Sequence, residues 1–412
     1  MLARNDPSLA MPQVAGGLAV VVFIFTLLAF VVESQLTQYV QTNLQYRHPF
    51  FLFYIVHSTF SLIFPLHLLY LKATTQHSVA SLLKGLSIAI TKHLTPRNAP
   101  QPHRFPRAAF TKLVSLMTIG VTYPGLLWFA AVSLASVGDV TAIWNTNAFF
   151  AYLISVRLFK LKWEVRKLIA VSLATLGTIA VVYGGASASE ADPKPASASP
   201  HDVVTSTTFK PSAPLLGNLL TLIASFGYGL YQVLYKIYAA LPTDPEVTSD
   251  SLYRQLSEDD AEPEETEMGA NEHASLSGEE DAVYPPPFGL HPNLLTSVIG
   301  LCTFFVLWIP LPILHMTGLE PFALPPNMHT ALSIFGIAFG GMVFNAGFMV
   351  LLGVWGPIIT SVGNLLTIVL MLISDIIFGS GLESITLWSL LGSGVIVVAF
   401  GILAYDMFTK GR

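Results

Sequence analysis

Charge is what this chain has least of. Asp, Glu, Lys and Arg together make up 11% of its 412 residues, against roughly a quarter in ordinary globular proteins. Hydrophobic residues make up 53%, more apolar surface than a soluble protein of this length can hide in its cores. Cysteine is nearly missing as well: Cys302 stands alone, which excludes an intrachain disulfide. No Asn-x-Ser/Thr acceptor occurs, so N-linked glycans cannot mark an external loop. The N-terminal region lacks a basic patch followed by a short apolar run and a small-residue cleavage site, so its first apolar stretch reads as a retained helix. P-loop, HExxH, nucleophile-elbow and Cys/His metal spacings are all absent. Neither an enzyme nor a protein dependent on a metal or cofactor is expected.

What the chain does have is a series of long apolar runs, near 14–36, 50–71, 109–133, 139–159, 166–185, 214–238, 293–317, 329–353, 357–379 and 386–406. Each offers about 20 residues to a hydrocarbon core of roughly 30 Å. Backbone groups in lipid must be satisfied within the segment, and no alternating ten-residue strand pattern occurs, so the runs are expected to be helices. The expected fold is an all-α integral membrane protein with ten transmembrane helices.

Basic residues orient them. Lys72, Lys84, Lys92, Arg97, Arg104 and Arg107 lie between the second and third spans, and Arg157, Lys160, Lys162, Arg166 and Lys167 lie around the turn between the fourth and fifth. With both connections in the cytosol, strict alternation puts both termini there and leaves only Arg47, Lys194 and Lys210 outside. The basic segment at 72–107 is thereby explained by topology and does not imply nucleic acid.

Two connections differ in composition. Residues 186–213 are rich in Ala, Ser and Pro and are expected to form a disordered external linker. Residues 240–291 hold 14 acids and one base, so the chain's net charge of −5 belongs to this segment and the remainder carries +8. So acidic a cytosolic stretch is expected to stay disordered. It interrupts a second group of five spans, 214–412, that follows a first group, 1–185.

The two groups look related. Residues 136–185 form a helix, a short turn and a second helix, and residues 354–406 repeat the pattern, each opening on a Gly beside Asp139 or Pro357. Five spans per group is odd, so the second copy inserts upside down. Inverted five-helix repeats are characteristic of secondary transporters, which bind substrate near the midplane between the halves.

Four stretches carry a family resemblance: Ser34-Gln35-Leu36-Thr37 followed by His48-Pro49-Phe50-Phe51; Gly138-Asp139-Val140-Thr141 with Asn147; Tyr231-Gln232-Val233-Leu234-Tyr235-Lys236; and Pro357, Ser361, Gly363, Thr367 and Asp375. In these the chain resembles the drug/metabolite transporter superfamily (EamA-like), and within it the F branch of the solute carrier 35 family. Gln35 departs from the Glu that relatives often carry there, with Glu33 two residues earlier. The resemblance implies carrier-type transport of a small polar metabolite, a thiamine-like cation among the candidates, with a proton or counter-substrate as partner. A nucleotide-sugar antiporter is the alternative within the class. An endomembrane such as the vacuole or Golgi is the expected location.

Polar groups at membrane depth are costly and mark candidate sites. Glu33, His57 and Asp139 are candidates for proton or ion coupling; snorkelling, packing and helix capping are their respective structural alternatives. Trp144, Asn145 and Asn147 bring an indole and two amides into the fourth span as a candidate cavity wall, with interhelical hydrogen bonding as the alternative. Tyr228, Tyr231 and Gln232 form a stripe on the sixth span that could stack a flat ring, with Tyr235, Lys236 and Tyr238 toward the cytosolic boundary. Asn364 adds an amide on the ninth span. Gly336 and Gly340 permit a close helix contact, within the chain or in a homodimer. A membrane scaffold or trafficking receptor is the reading from a different class, resting on Tyr253-Arg254-Gln255-Leu256 and Ser257-Glu258-Asp259-Asp260 in the acidic segment. If that segment is only a linker, deleting 245–285 leaves transport intact in correctly located protein; loss of transport measured in isolated membranes would show otherwise.

Overall fold

The computed structural model describes residues 11–95, 104–135, 140, 143–159, 164–190, 213–241, 282–378 and 387–410. Regular structure among them is entirely helical. In chain order these are α1 (Met11–Thr42), α2 (Pro49–Thr59), α3 (Ile63–Thr74), α4 (Val79–Leu94), α5 (Arg107–Leu134), α6 (Asn147–Leu158) and α7 (Val165–Glu190). They continue with α8 (Pro214–Tyr238), α9 (Leu290–Val306), α10 (Pro310–Thr317), α11 (Met328–Asn364), α12 (Leu366–Phe378) and α13 (Leu387–Lys410). Four stretches among the described residues are long and apolar enough to cross a bilayer: Gly17–Gln41, Pro49–Thr74, Arg107–Leu134 and Met328–Asn364. A fifth joins α9 and α10 across a 45° bend. The chain is an integral membrane protein.

The faces of α1 show how lipid replaces water as the outer solvent. Val21, Ile24, Phe25, Leu28 and Val32 follow helical spacing and are exposed, as only a hydrocarbon surrounding permits. Ala19, Phe23, Leu27 and Phe30 turn inward. α1 packs along α11, α5 along α8, and α7 along α13, the three most extensive pairings. Gly336 and Gly340 of α11 face Leu36 and Ala29 of α1, so their close contact lies within the chain. Two main cores result. One gathers α5, α8, α9 and α11 with Phe30 and Trp144, and the other gathers α6, α7, α12 and α13.

Breaks in the helices are sealed by distant side chains. The second span is continuous only through a 3-10 turn at Phe60–Leu62. Pro65 has no N–H to offer the carbonyl four residues back, that of Ser61. Ser297 of α9 donates to that carbonyl instead, at 2.6 Å. α9 comes so close here that a Cβ on Gly300 would stand 2.4 Å from the Ser61 nitrogen, so only glycine fits.

α11 breaks in the same manner. Gly356 adopts φ 74°, the left-handed region open to glycine, and Pro357 restarts the helix. Pro357 leaves the Gly353 carbonyl without its helical donor, and the Lys236 ammonium reaches that oxygen at 2.7 Å. Thr360 donates to the Leu351 carbonyl at 3.0 Å. A cation at a helix C-terminus also meets the negative end of the helix dipole. Lys236, which the sequence places among boundary anchors, is the plug of this break.

α4 lies in the basic connection, where the hydropathy pass gives no element. Ser78 caps it by accepting from the Ser81 N–H at 3.0 Å, and Leu82, Leu86, Ala89 and Ile90 are buried. The His93 ring meets the Tyr238 carbonyl at 2.9 Å, tying α4 to the end of α8. Val283 donates its N–H to the Ser81 carbonyl at 3.1 Å. The sequence draws the acidic segment to residue 291, but Val283 and Tyr284 already pack against α4; residues 242–281 lie outside the described residues. The linker drawn from 186 likewise begins inside α7, and 191–212 lie outside the described residues. A deletion that tests the acidic segment therefore has to stop before Val283.

Ser297→Ala is expected to lower stability by about 1 kcal/mol by leaving the Ser61 carbonyl unpaired in an apolar setting. Gly300→Leu is expected to prevent folding. Thermal melting in detergent, followed by size-exclusion chromatography, measures both.

Candidate functional site

Among the described residues a hollow lies between these helices. A cavity of about 60 Å³ lies between α1, α2, α5, α8 and α11 and the turn before α6. α1 contributes Phe30 and Glu33, and α2 contributes His57. α5 contributes Val121, Gly125, Trp128 and Phe129. Trp144, Tyr228 and the α11 pair Phe344 and Asn345 close the wall. Such a volume holds a few waters and falls well short of the several hundred Å³ of a ligand pocket. The walls are drawn together in this conformation.

Glu33 stands on the buried face of α1 with its Oε1 against Gly341. Its Oε2 is buried without a hydrogen-bond partner among the described residues. His57 is clamped between Phe53, centroids 4.1 Å apart, and Phe60, 4.7 Å apart. Its Nδ1 is also buried and unpartnered. Burying such groups unpaired costs free energy that a structural role alone does not recover.

The aromatic wall is built by a helix break. Residues 143–145 form a helical turn that ends at Thr146, and α6 restarts at Asn147. The Trp144 carbonyl freed at this point accepts from the Asn147 amide at 2.7 Å and from the Ser225 hydroxyl at 3.2 Å. Gln232 in turn donates to Asn147 Oδ1 at 3.1 Å. Held this way, the Trp144 indole stacks on Tyr228 with centroids 4.9 Å apart and 30° between planes. Tyr231 continues the stack at 6.0 Å, its hydroxyl donating to Met349 Sδ at 3.1 Å. Trp128 meets Trp144 edge-on at 6.4 Å.

Of the residues singled out from sequence, Glu33, His57, Trp144 and Tyr228 thus share one cavity, though they lie on four separate segments. Asn147, Gln232 and Tyr231 stand behind its wall and position it. Asn145 and Asn364 are buried and are not among the lining residues. Asp139 lies outside the described residues. Sequence reasoning passed over Trp128 and Asn345. Asn345 lines the cavity, and its Nδ2 donates to the Gly341 carbonyl at 2.9 Å. An amide inside the eighth apolar run was the signal for it; an indole in a lipid-facing run gives none. Among the described residues, no Lys or Arg lines the cavity.

No family model matches the chain. It is 24% identical over 401 residues to a Schizosaccharomyces pombe protein described as an uncharacterized transporter, covering 94% of this chain and 96% of that one. It is 22% identical over 299 residues to the thiamine-repressible mitochondrial transport protein THI74 of Saccharomyces cerevisiae, covering 71% of this chain and 64% of that one. Both relatives are named as transporters. The chain is thus a distant relative of transport proteins, consistent with its membrane helices. A solved crystal structure matches with a TM-score of 0.52 at 11% identity, covering 94% of this chain and 96% of its own, which shows a shared fold.

Asn147→Ala deprives both the Trp144 carbonyl and the Gln232 amide of a partner, and is expected to cost about 1–2 kcal/mol. Tyr231→Phe loses only a weak bond to sulfur and is expected to be nearly neutral. Melting curves of the two purified variants check the contrast.

Proposed function

We propose that this protein is a carrier, secondary-active or facilitative, that moves a small organic cation through the Glu33–Trp144–Tyr228 cavity by alternating access. The observation that carries this reading is the cavity itself. It joins a buried carboxylate, whose Oε2 has no hydrogen-bond partner among the described residues, to a stack of aromatic rings, and no Lys or Arg stands among the described residues of its wall. Rings and a carboxylate attract a cation, most strongly a flat one that can stack. In its absence the Glu33 carboxylate can hold a proton, with His57 as its neighbour on the wall, so that proton and substrate exchange at one place. A nucleotide sugar is less well served, because its diphosphate calls for Arg, Lys or clustered N–H donors. A thiamine-like cation is the first candidate, given a relative whose name includes thiamine repression.

The proposed frame is ten transmembrane helices in two inverted repeats of five, with both termini cytosolic and the protein in an endomembrane. Helix pairing supports it. The repeat exchanges the first span for the sixth, the third for the eighth and the fifth for the tenth. The α1–α11 pairing then maps onto α8–α5, and α7–α13 maps onto itself; these are the three largest pairings. Interruptions also correspond: one falls at Thr146, eight residues after Gly138, and the other at Leu365, nine residues after Gly356.

Uptake of labelled thiamine and other organic cations into proteoliposomes tests the proposal. Glu33→Gln and Trp144→Ala are each expected to reduce uptake by about tenfold or more, the equivalent of one lost charge or cation–π contact. If no cation moves or competes, or if both variants transport at the native rate, the carrier reading of this cavity is wrong and the scaffold reading gains.

A further inference from the structure

The cavity is too small for a metabolite, so carriage requires its walls to move apart. One helix of that wall, α2, is held at its N-terminus by a built contact. The connection from α10 to α11 lies at the opposite end of α9 and α10 from α4, and it folds over the N-terminus of α2. The Glu320 Oε2 accepts from the Phe50 N–H and its Oε1 from the Phe51 N–H, each at 3.0 Å. These are helix donors that have no partner within α2, and a carboxylate there also meets the positive end of the helix dipole. Tyr46, 4% exposed, donates its hydroxyl to the Ala323 carbonyl at 2.7 Å. Burial, and then the nearby Glu320 carboxylate, pushes the Tyr46 phenol up to about 12, so it remains a donor at physiological pH. Phe51 and Phe322 close edge to face at 5.3 Å.

Two features distinguish this contact from ordinary capping. Local caps come from residues beside a helix start, whereas this carboxylate comes from 270 residues away in sequence. The capped helix also carries His57, eight residues below Pro49 or about 12 Å along the axis, into the cavity wall. Movement of the 318–327 connection and of the cavity wall are therefore mechanically joined through α2.

We propose that residues 318–327 form a gate over the cavity, latched shut in this structure by Glu320 on the α2 N-terminus and by Tyr46 on Ala323. This rests on the carrier reading. Releasing the latch lets α2 swing outward and exposes the cavity on this side. Each charge-assisted hydrogen bond lost shifts the open population by about tenfold.

The test places one reporter thiol in the cavity, Val121→Cys, in a Cys302→Ser background. A membrane-impermeant thiol reagent is applied separately to each side of oriented vesicles. Glu320→Ala is expected to raise labelling from the gate side by about tenfold or more and to lower it from the opposite side. Tyr46→Phe, which removes a single hydroxyl and should fold if Glu320→Ala does not, is expected to act in the same direction by less. Unchanged labelling from the gate side, with the thiol still reactive from the other, overturns the gate and leaves the carrier reading standing. A rise from both sides marks general loosening and also overturns it. A thiol unreactive from either side in every variant defeats the carrier reading and the gate with it.

Discussion

Inside a bilayer there is no water to satisfy a backbone carbonyl, so each departure from a regular helix needs a donor from elsewhere in the protein. This requirement organises the molecule. At Pro65 the freed Ser61 carbonyl receives Ser297; at Pro357 the freed Gly353 carbonyl receives Lys236; at Thr146 the Trp144 carbonyl receives Asn147 and Ser225. At each break one donor, Ser297, Lys236 or Ser225, comes from a different helix. The breaks therefore act as fasteners, fixing α9 to the second span, α8 to α11, and α8 to the turn before α6.

The cavity is where this economy is suspended. Glu33 Oε2 and His57 Nδ1 are buried with no partner among the described residues, as are the Ser34, Ser58 and Thr122 hydroxyl oxygens beside lining residues in sequence. Unpaired polar atoms beside an aromatic stack form a place prepared for something that enters from outside. The Asn147–Gln232 pair shows the division of labour: those amides spend their hydrogen bonds holding Trp144, which leaves the indole free to present its face.

Much of this was legible in the residues. Apolar length marked the four stretches and the bent pair that are long enough to cross a bilayer, and the expense of burying charge singled out Glu33 and His57, both of which line the cavity. Trp144 and Tyr228 were picked out because aromatic residues near membrane-depth amides suggest a wall. The same reasoning could not separate Tyr228, which lines the cavity, from Tyr231, one turn on, whose hydroxyl turns to Met349. Nor could it see Trp128, because indoles also suit lipid and its interface. α4 escaped a hydropathy reading because its apolar stripe is short and interrupted by Lys84 and Lys92.

The sequence by itself determined that the chain lives in a membrane, that its long apolar runs are helical and which polar groups are costly to bury. Those conclusions depend on transfer free energies, which belong to each segment separately. Only the tertiary structure decided which polar groups meet a partner and which face the cavity. Gln232 donates to Asn147 from 85 residues away, and Glu320 finds its donors 270 residues back. Hydrogen bonds act over about 3 Å, so such matches exist only once packing has brought the helices together.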